Sequence, residues 1–181
     1  TTFPRVEAVE KVTGSAKFIE DLCIGPMLYA KIKKSTIPHG RIKRIDTSRA
    51  EALPGVRAVV TGKDFPNRVG LYLVDRTFFA VDKVRFFGEP LAAVAACSEE
   101  VAQQAVDLIE VEYEELPAVF NPLESMKPDA PILHENLGSY EVVPIFYPVP
   151  GTNISNHAKI RKGDVEKGFA QSDLIIERDY Y

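Results

Sequence analysis

The sequence has few cysteines, no excess of positive charge and no long apolar run. Its two cysteines, Cys23 and Cys97, form no Cys-x-x-Cys pair and have no histidine at metal-ligand spacing. This predicts two reduced thiols, with Cys97 as a small core residue. The net charge of −4, from 22 basic and 26 acidic residues, argues against binding to nucleic acid or to an anionic membrane. No apolar run approaches the roughly 20 residues of a membrane helix.

Several recognisable signatures are also missing. Residues 1–5 contain no apolar segment of the signal-peptide type, so a cytoplasmic location is expected, which agrees with reduced thiols. The chain does not begin with methionine, which suggests a fragment, a processed chain or an excised segment. No GxxxxGK[ST], GxGxxG or GxSxG motif occurs, which argues against a P-loop, a dinucleotide-binding turn or a hydrolase nucleophile elbow.

The composition is that of a globular protein. The 181 residues are 45% apolar and 27% charged, which argues against disorder. A chain of this length forms one large domain, or one domain and part of another. It can bury about 70% of the surface of its unfolded state, enough for a proper core.

Alternating or continuous apolar runs predict a set of strands. These runs cover residues 27–33, 41–45, 56–60, 91–97, 111–113, 153–160 and 174–181, with two weaker candidates at 71–74 and 77–81. In the first run, Leu28, Ala30 and Ile32 share one face, which is typical of a half-buried strand. The run 91–97 does not alternate, so we expect that strand to be covered on both faces.

Three helix starts are visible. Ser48 and Glu51 match a capping box, and Pro54-Gly55 ends that short helix. Ser98 and Asp164 can each cap a further helix. An apolar stripe with core spacing follows the second of these caps: Val101, Ala105, Leu108 and Ile109.

Residues 90–116 have the length and pattern of a strand, a helix and a strand. If the two strands are parallel neighbours, the crossover is right-handed. With the alternating strands elsewhere, this predicts an α+β fold with a mixed sheet. Residues 117–151 hold seven of the thirteen prolines and are interpreted as an extended Pro-rich connector, either a linker or a binding segment.

The search for chemistry yields candidates but no catalytic constellation. His39 lies in a turn, where we expect a surface residue or a contact with a neighbouring domain. His134 and His157 are interpreted as structural or exposed. Glu89, between glycine and proline, is either a functional carboxylate or, more simply, part of a turn that directs the next strand.

Two charged groups also invite interpretation. Glu110, Glu112 and Glu114 share one strand face at a spacing of about 7 Å, which is either a cation site or, more simply, a solvated face. A basic patch is interpreted as solvated surface or as a subunit contact, since Tyr29 is its one interleaved aromatic residue. Its members are Lys31, Lys33, Lys34, Arg41, Lys43 and Arg44.

Eight segments, in order along nearly the whole chain, resemble the N-terminal portion of the large, molybdenum-binding subunit of the xanthine dehydrogenase and aldehyde oxidase family. They are residues 14–22, 35–42, 45–50, 53–56, 61–66, 84–94, 111–119 and 162–169. The most distinctive is 84–94, Val-Arg-Phe-Phe-Gly-Glu-Pro-Leu-Ala-Ala-Val. The middle segments resemble the α/β hammerhead domain of that family.

The resemblance implies an α/β hammerhead over residues 1–125. Residues 126–181 would then hold the Pro-rich connector and the start of the molybdopterin-binding domain. Family members hydroxylate aldehydes or N-heterocycles, oxidise carbon monoxide or reduce an aromatic acyl-CoA. Their molybdenum is carried by molybdopterin, and electrons pass through two 2Fe–2S clusters, commonly to FAD, all held by other domains or subunits.

No catalytic, cofactor-binding or metal-binding residue is therefore assigned to this chain. Its two cysteines cannot supply the four thiolates of one 2Fe–2S cluster. The implied partners are the molybdenum-binding domains of the same polypeptide and iron–sulfur and flavin domains or subunits.

Three hypotheses follow: a non-catalytic structural domain of a molybdenum hydroxylase, a free-standing interaction module, and a small enzyme using Glu89 or the Glu110–Glu114 face. The exposed apolar residues Ile145, Phe146 and Tyr147 are candidates for an interface.

Overall fold

The computed structural model describes Phe3, residues 5–22 and residues 24–180. The strands are β1 (Tyr29–Lys34), β2 (Gly40–Asp46), β3 (Val56–Thr61), β4 (Arg68–Val69), β5 (Arg76–Thr77), β6 (Lys83–Val84), β7 (Pro90–Ala96) and β8 (Glu110–Glu115). The α-helices are α1 (Ala8–Thr13), α2 (Ser48–Glu51), α3 (Glu99–Leu108), α4 (Pro122–Ser125) and α5 (Val165–Ala170). Short 3-10 turns cover Ile19–Asp21 and Leu137–Ser139.

The chain divides into two compact units. Unit 1 comprises Thr1–Asn67 and Thr77–Pro117, and unit 2 comprises Arg68–Arg76 and Ala118–Tyr181. The strands predicted from residues 27–60 and 91–113 all lie in unit 1, and each is present within a residue or two of its expected bounds.

Unit 1 is built on two three-stranded antiparallel sheets. One has the order β1-β7-β3 and the other β6-β2-β8. The predicted mixed sheet is therefore wrong, although the α+β class is right. β7 and β8 do not pair, because α3 carries the chain from the first sheet to the second instead of back to a parallel neighbour.

Helix α3 covers one face of the first sheet. Ser98 caps it as predicted, since the hydroxyl oxygen accepts a hydrogen bond from the Val101 amide at 3.3 Å. Its apolar stripe packs on β7, where Ala92 and Val94 are buried in one cluster. Leu91 points the other way into a second cluster, with Ala80 and Val84. The start of β7 is thus covered on both faces, which confirms that expectation for this part of the strand.

Strand β1 alternates, but the burial expected for its apolar face is wrong, because Lys31 and Lys33 face α3. Lys31 forms an ion pair with Glu99, and Lys33 Nζ donates to the Val106 carbonyl oxygen at 3.1 Å. A cation suits the last turn of a helix, where carbonyl groups lack intrahelical donors. Ile32, on the opposite face of β1, is consequently exposed.

The cap of α2 differs from the predicted capping box. Ser48 lies inside the helix, and its amide and hydroxyl both donate to Asp46 Oδ1, at 3.0 and 2.7 Å. The Glu51 amide, which a capping box would place on the Ser48 hydroxyl, donates instead to the Thr47 carbonyl oxygen at 2.9 Å. The short α5 does begin as predicted, because Asp164 Oδ1 accepts from the Lys167 amide at 3.0 Å.

Unit 2 has its own small apolar cluster. Leu73, Leu137 and Tyr140 are buried in it, and Phe146 packs against them. Residues 72–74 are tied to 141–143 by hydrogen bonds from Val74 N to Glu141 O at 2.9 Å and from Val143 N to Tyr72 O at 3.0 Å. Residues 117–151 are therefore not the extended connector that their proline content predicted.

Four predicted strands are not formed. Residues 153–160 and 174–180 contain no strand, and Tyr181 lies outside the described residues. At 71–74 there is one isolated bridge, between Leu73 and Val142, and 77–81 is mostly irregular. An alternating segment becomes a strand only when a partner edge is available, so the pattern alone overestimated these elements.

Candidate functional site

The best-defined irregular feature of unit 1 is the turn Arg85–Pro90 that leads into β7, here called the aromatic turn. Its base is tied to Ser35 by two backbone hydrogen bonds, Ser35 N to Glu89 O at 2.8 Å and Gly88 N to Ser35 O at 3.0 Å. A third bond closes the turn, from Glu89 N to Phe86 O at 3.3 Å. Gly88 has a φ of +84°, which a residue with a side chain rarely adopts.

Ser35, which binds Gly88 and Glu89 of the turn, is itself held by burial and a side-chain hydrogen bond. Its side chain is buried, and its hydroxyl donates to the Ile37 carbonyl oxygen at 2.7 Å. The turn follows β6, which ends at Val84, and leads into β7, which begins at Pro90. Both ends of the aromatic turn are therefore fixed to regular structure.

Two adjacent phenylalanines project from this fixed turn. Phe86 is 56% exposed and Phe87 is 70% exposed. Reasoning from the sequence did not identify them as a site. The signal available was a pair of aromatic residues directly before Gly-Glu-Pro, where a turn rather than a strand interior was expected.

Glu89 takes part in the hydrogen bonding of the turn. Its carboxylate Oε2 accepts a hydrogen bond from the Arg85 amide at 2.5 Å. Burial raises the pKa of Glu89 above the usual 4.5 and outweighs the opposite effects of the Arg85 amide and charge. The simpler of the two interpretations of Glu89 therefore has the geometric support.

This raised pKa predicts a pH-dependent gain in stability for Glu89→Gln. The folded state binds the Glu89 proton more tightly than the unfolded chain, so wild-type stability falls as pH rises through the folded pKa. Glutamine keeps an oxygen for the Arg85 amide and never ionises. We expect a higher urea midpoint for the variant at pH 7 and no gain below pH 4.5.

Asp64 supplies a control of opposite sign. The backbone amide and then the hydroxyl of Thr61 donate to its carboxylate, at 2.7 and 3.0 Å, and lower the Asp64 pKa. The stability from this group is present above the unfolded pKa and lost in acid, so Asp64→Asn should destabilise at pH 7 and not at low pH. If Glu89→Gln lowered the midpoint at pH 7 as Asp64→Asn is expected to do, the assignment of Glu89 would be wrong.

The acidic face of β8 is solvated and partly neutralised by arginines. Glu110 pairs with Arg49 at 2.9 Å, and Glu112 lies 3.9 Å from Arg44. All four side chains are well exposed, where such pairs contribute little and are screened by salt. This geometry supports a solvated strand face rather than a cation site.

The residues of the predicted basic patch are divided between two sheets. Lys31, Lys33 and Lys34 belong to β1, whereas Arg41, Lys43 and Arg44 belong to β2 in the other sheet. Three of the six side chains have partners in the described structure: Lys31 with Glu99, Lys33 with the end of α3, and Arg44 with Asp46.

His39 is buried, so its expected position on the surface is wrong. It is 3% exposed, and its Nδ1 lies 2.6 Å from the Pro117 carbonyl oxygen. Since a carbonyl only accepts, Nδ1 carries the proton. Nε2 is buried without a hydrogen-bond partner. The burial follows from the pairing of Gly40 with Glu115, which lays His39 beside Leu116 and Pro117.

The other two histidines agree with their interpretation. His134 meets Tyr140 inside unit 2, with Nδ1 3.3 Å from the phenol oxygen and the rings edge to face. His157 is exposed. Among the described residues, no group of three histidine, cysteine, aspartate or glutamate side chains is placed to hold a metal ion.

The cysteine and interface predictions are met in part. Cys97 is a free thiol but is exposed, not in the core, because it follows the last residue of β7. Cys23 lies outside the described residues.

Ile145 and Tyr147 are exposed as expected, whereas Phe146 packs in the cluster of unit 2. None of the helices formed by the described residues is long and apolar enough to cross a membrane.

Comparison with proteins of known sequence gives clear relatives. A probable xanthine dehydrogenase subunit of Bacillus subtilis (strain 168) is 41% identical over 172 residues, which cover 94% of this chain and 21% of that protein. The nicotinate dehydrogenase large molybdopterin subunit of Eubacterium barkeri is 36% identical over 178 residues, which cover 97% of this chain and 38% of that protein. The chain thus spans about a fifth to two fifths of the length of these relatives.

Solved structures give the same answer for the fold. A reconstituted CO dehydrogenase from Oligotropha carboxidovorans matches with a TM-score of 0.76 at 32% identity, covering 95% of this chain and 22% of that one. The family model described as aldehyde oxidase and xanthine dehydrogenase, a/b hammerhead domain, matches residues 13–117. The resemblance drawn from the eight sequence segments is confirmed, and the chain belongs to the aldehyde oxidase and xanthine dehydrogenase hammerhead family.

Proposed function

We propose that this chain is a non-catalytic hammerhead domain of a molybdopterin-dependent hydroxylase of the xanthine dehydrogenase type. Its function is to pack against the molybdenum-binding domains of the same polypeptide. The observation that carries the proposal is the family match over residues 13–117, together with relatives of which the chain forms a minor part. One of those relatives is named as a large molybdopterin subunit.

The cysteine content of this chain does not fit a 2Fe–2S cluster, because two cysteines cannot supply four thiolates. Cys97 is an exposed free thiol, and the described residues bring no three metal-ligating side chains together. We therefore assign the 2Fe–2S clusters to other domains or subunits of the parent enzyme. The molybdopterin and any FAD are assigned there on the basis of family membership, and the parent enzyme to the cytoplasm. We place the hammerhead at residues 1–125 and the entry to the molybdopterin-binding domain at 126–181.

A segment exchange tests this function. The aligned segment of the Bacillus subtilis relative is replaced by this chain in the full-length protein, and bound molybdenum and dehydrogenase activity are measured. We expect both to be retained, because a packing domain 41% identical to the original presents a similar surface. The 181-residue chain alone should show neither.

Two outcomes would contradict the proposal. Molybdenum bound at one atom per isolated chain would place the chemistry inside these residues. A chimera that folds but holds no molybdenum would favour the alternative of a free-standing interaction module.

A further inference from the structure

The aromatic turn exposes more apolar surface than its folding role requires. A phenylalanine side chain buries roughly 150–250 Å² when it is enclosed, yet Phe86 and Phe87 remain mostly in solvent. Adjacent exposed aromatic residues on a folded domain mark a contact surface. Chain reversal here depends on Gly88, Glu89 and Ser35, and none of the hydrogen bonds that form it uses a phenyl ring.

The turn is also held in place before any partner arrives. Hydrogen bonds to Ser35 fix its base, and the Glu89 carboxylate fixes the Arg85 amide. A preformed contact element loses little conformational freedom on binding, so more of its apolar burial is available as affinity. Exposed aromatic residues on such an element have the character of anchor residues.

We propose that Phe86 and Phe87 insert into an apolar recess of the molybdenum-binding part of the same parent polypeptide, and that the aromatic turn is an anchor of the docked hammerhead. This inference rests on the proposed function. It adds the surface and the chemistry of the contact, which family membership does not specify.

The choice of partner follows from what this chain and its relatives offer. Two clefts of unit 1 carry charged side chains: one, of about 220 Å³, is lined by Lys43, Arg44 and Lys63 together with apolar residues, and another by Lys31 and Glu99. At these two clefts, a second copy would place charged side chains near the phenyl rings. The Bacillus subtilis relative, in contrast, has about four fifths of its length outside the matched segment.

The test uses the full-length chimera described above, with Phe86→Ala and Phe87→Ala combined. Limited proteolysis measures how fast the hammerhead segment is released. We expect release to be accelerated at least about fivefold, the effect of losing an anchor residue of moderate strength. The matched control is Phe65→Ala, since Phe65 is 50% exposed in unit 1 but follows β3 and is not part of the turn; it should leave release unchanged.

Measurements on the 181-residue chain separate docking from folding. The double variant should unfold at the same urea midpoint as wild type, because both side chains are exposed. Release at the wild-type rate in the chimera would overturn the inference and leave the proposed function standing. A lowered urea midpoint of the double variant in the isolated chain would also overturn the inference, because the side chains would then contribute to folding. If the wild-type chain were a dimer in gel filtration and the double variant a monomer, the partner would be a second copy, which would overturn the inference as well. An unsubstituted chimera without molybdenum would remove both proposals together.

Discussion

Replacing His39 by alanine is expected to lower the free energy of unfolding by about 2–4 kcal/mol. The imidazole is almost fully buried, and its Nδ1–H donates to the Pro117 carbonyl oxygen at 2.6 Å. Alanine would leave a cavity at the start of β2 and a carbonyl oxygen without its donor. Equilibrium urea unfolding of the isolated chain measures the difference.

His39→Asn separates the hydrogen bond from the cavity. The Nδ2 group of asparagine can take the place of Nδ1 and donate to Pro117, while the buried and unpartnered Nε2 is removed. We expect asparagine to retain about 1 kcal/mol relative to alanine. Equal midpoints for the two variants would show that the bond to Pro117 contributes nothing.

His39 also illustrates why part of this fold escaped prediction. Its sequence context, Ile-Pro-His-Gly, is that of an exposed turn, and nothing nearby in the sequence indicates burial. The burial arises because β2 pairs with β8, a strand far along the chain. The local sequence pattern indicates local secondary structure. Whether a residue is buried also depends on which distant strand pairs beside it, and the local pattern does not specify that strand.

The same division holds for the strands. β1, β2, β3, β7 and β8 were visible because each carries an alternating or continuous apolar run of its own. Their arrangement was not, because a strand–helix–strand pattern is compatible with a parallel crossover and with a move to a second sheet. The antiparallel pairing of β7 with β1 and β3 decides the matter.

The aromatic turn was predictable as a turn but not as a surface. Gly88 and Pro90 mark the chain reversal in the sequence, and the simpler interpretation of Glu89 placed it in that turn. Phenylalanine is ordinarily a core residue, so nothing in the composition of the segment marks Phe86 and Phe87 as exposed. The structure shows that hydrogen bonds to Ser35 hold the turn and that both rings are exposed.

Leu91→Ala is expected to lower the free energy of unfolding by about 2–5 kcal/mol. Leu91 is fully buried at the start of β7, in the cluster with Ala80 and Val84. These residues lie on a central strand and its surroundings, where the backbone cannot easily collapse into the space that the missing carbon atoms leave. Removing the side chain therefore loses both apolar transfer energy and packing contacts.

The matched control is Leu123→Ala, in which the same atoms are removed from a side chain that is 60% exposed. Its effect should stay within about 0.5 kcal/mol. Both variants are compared with wild type by urea unfolding at constant pH, with the slope of the transition checked for two-state behaviour. A Leu91 variant as stable as the control would mean that the two sheets of unit 1 do not enclose this residue. Because the aromatic turn leads directly into β7, its position would then have to be revised as well.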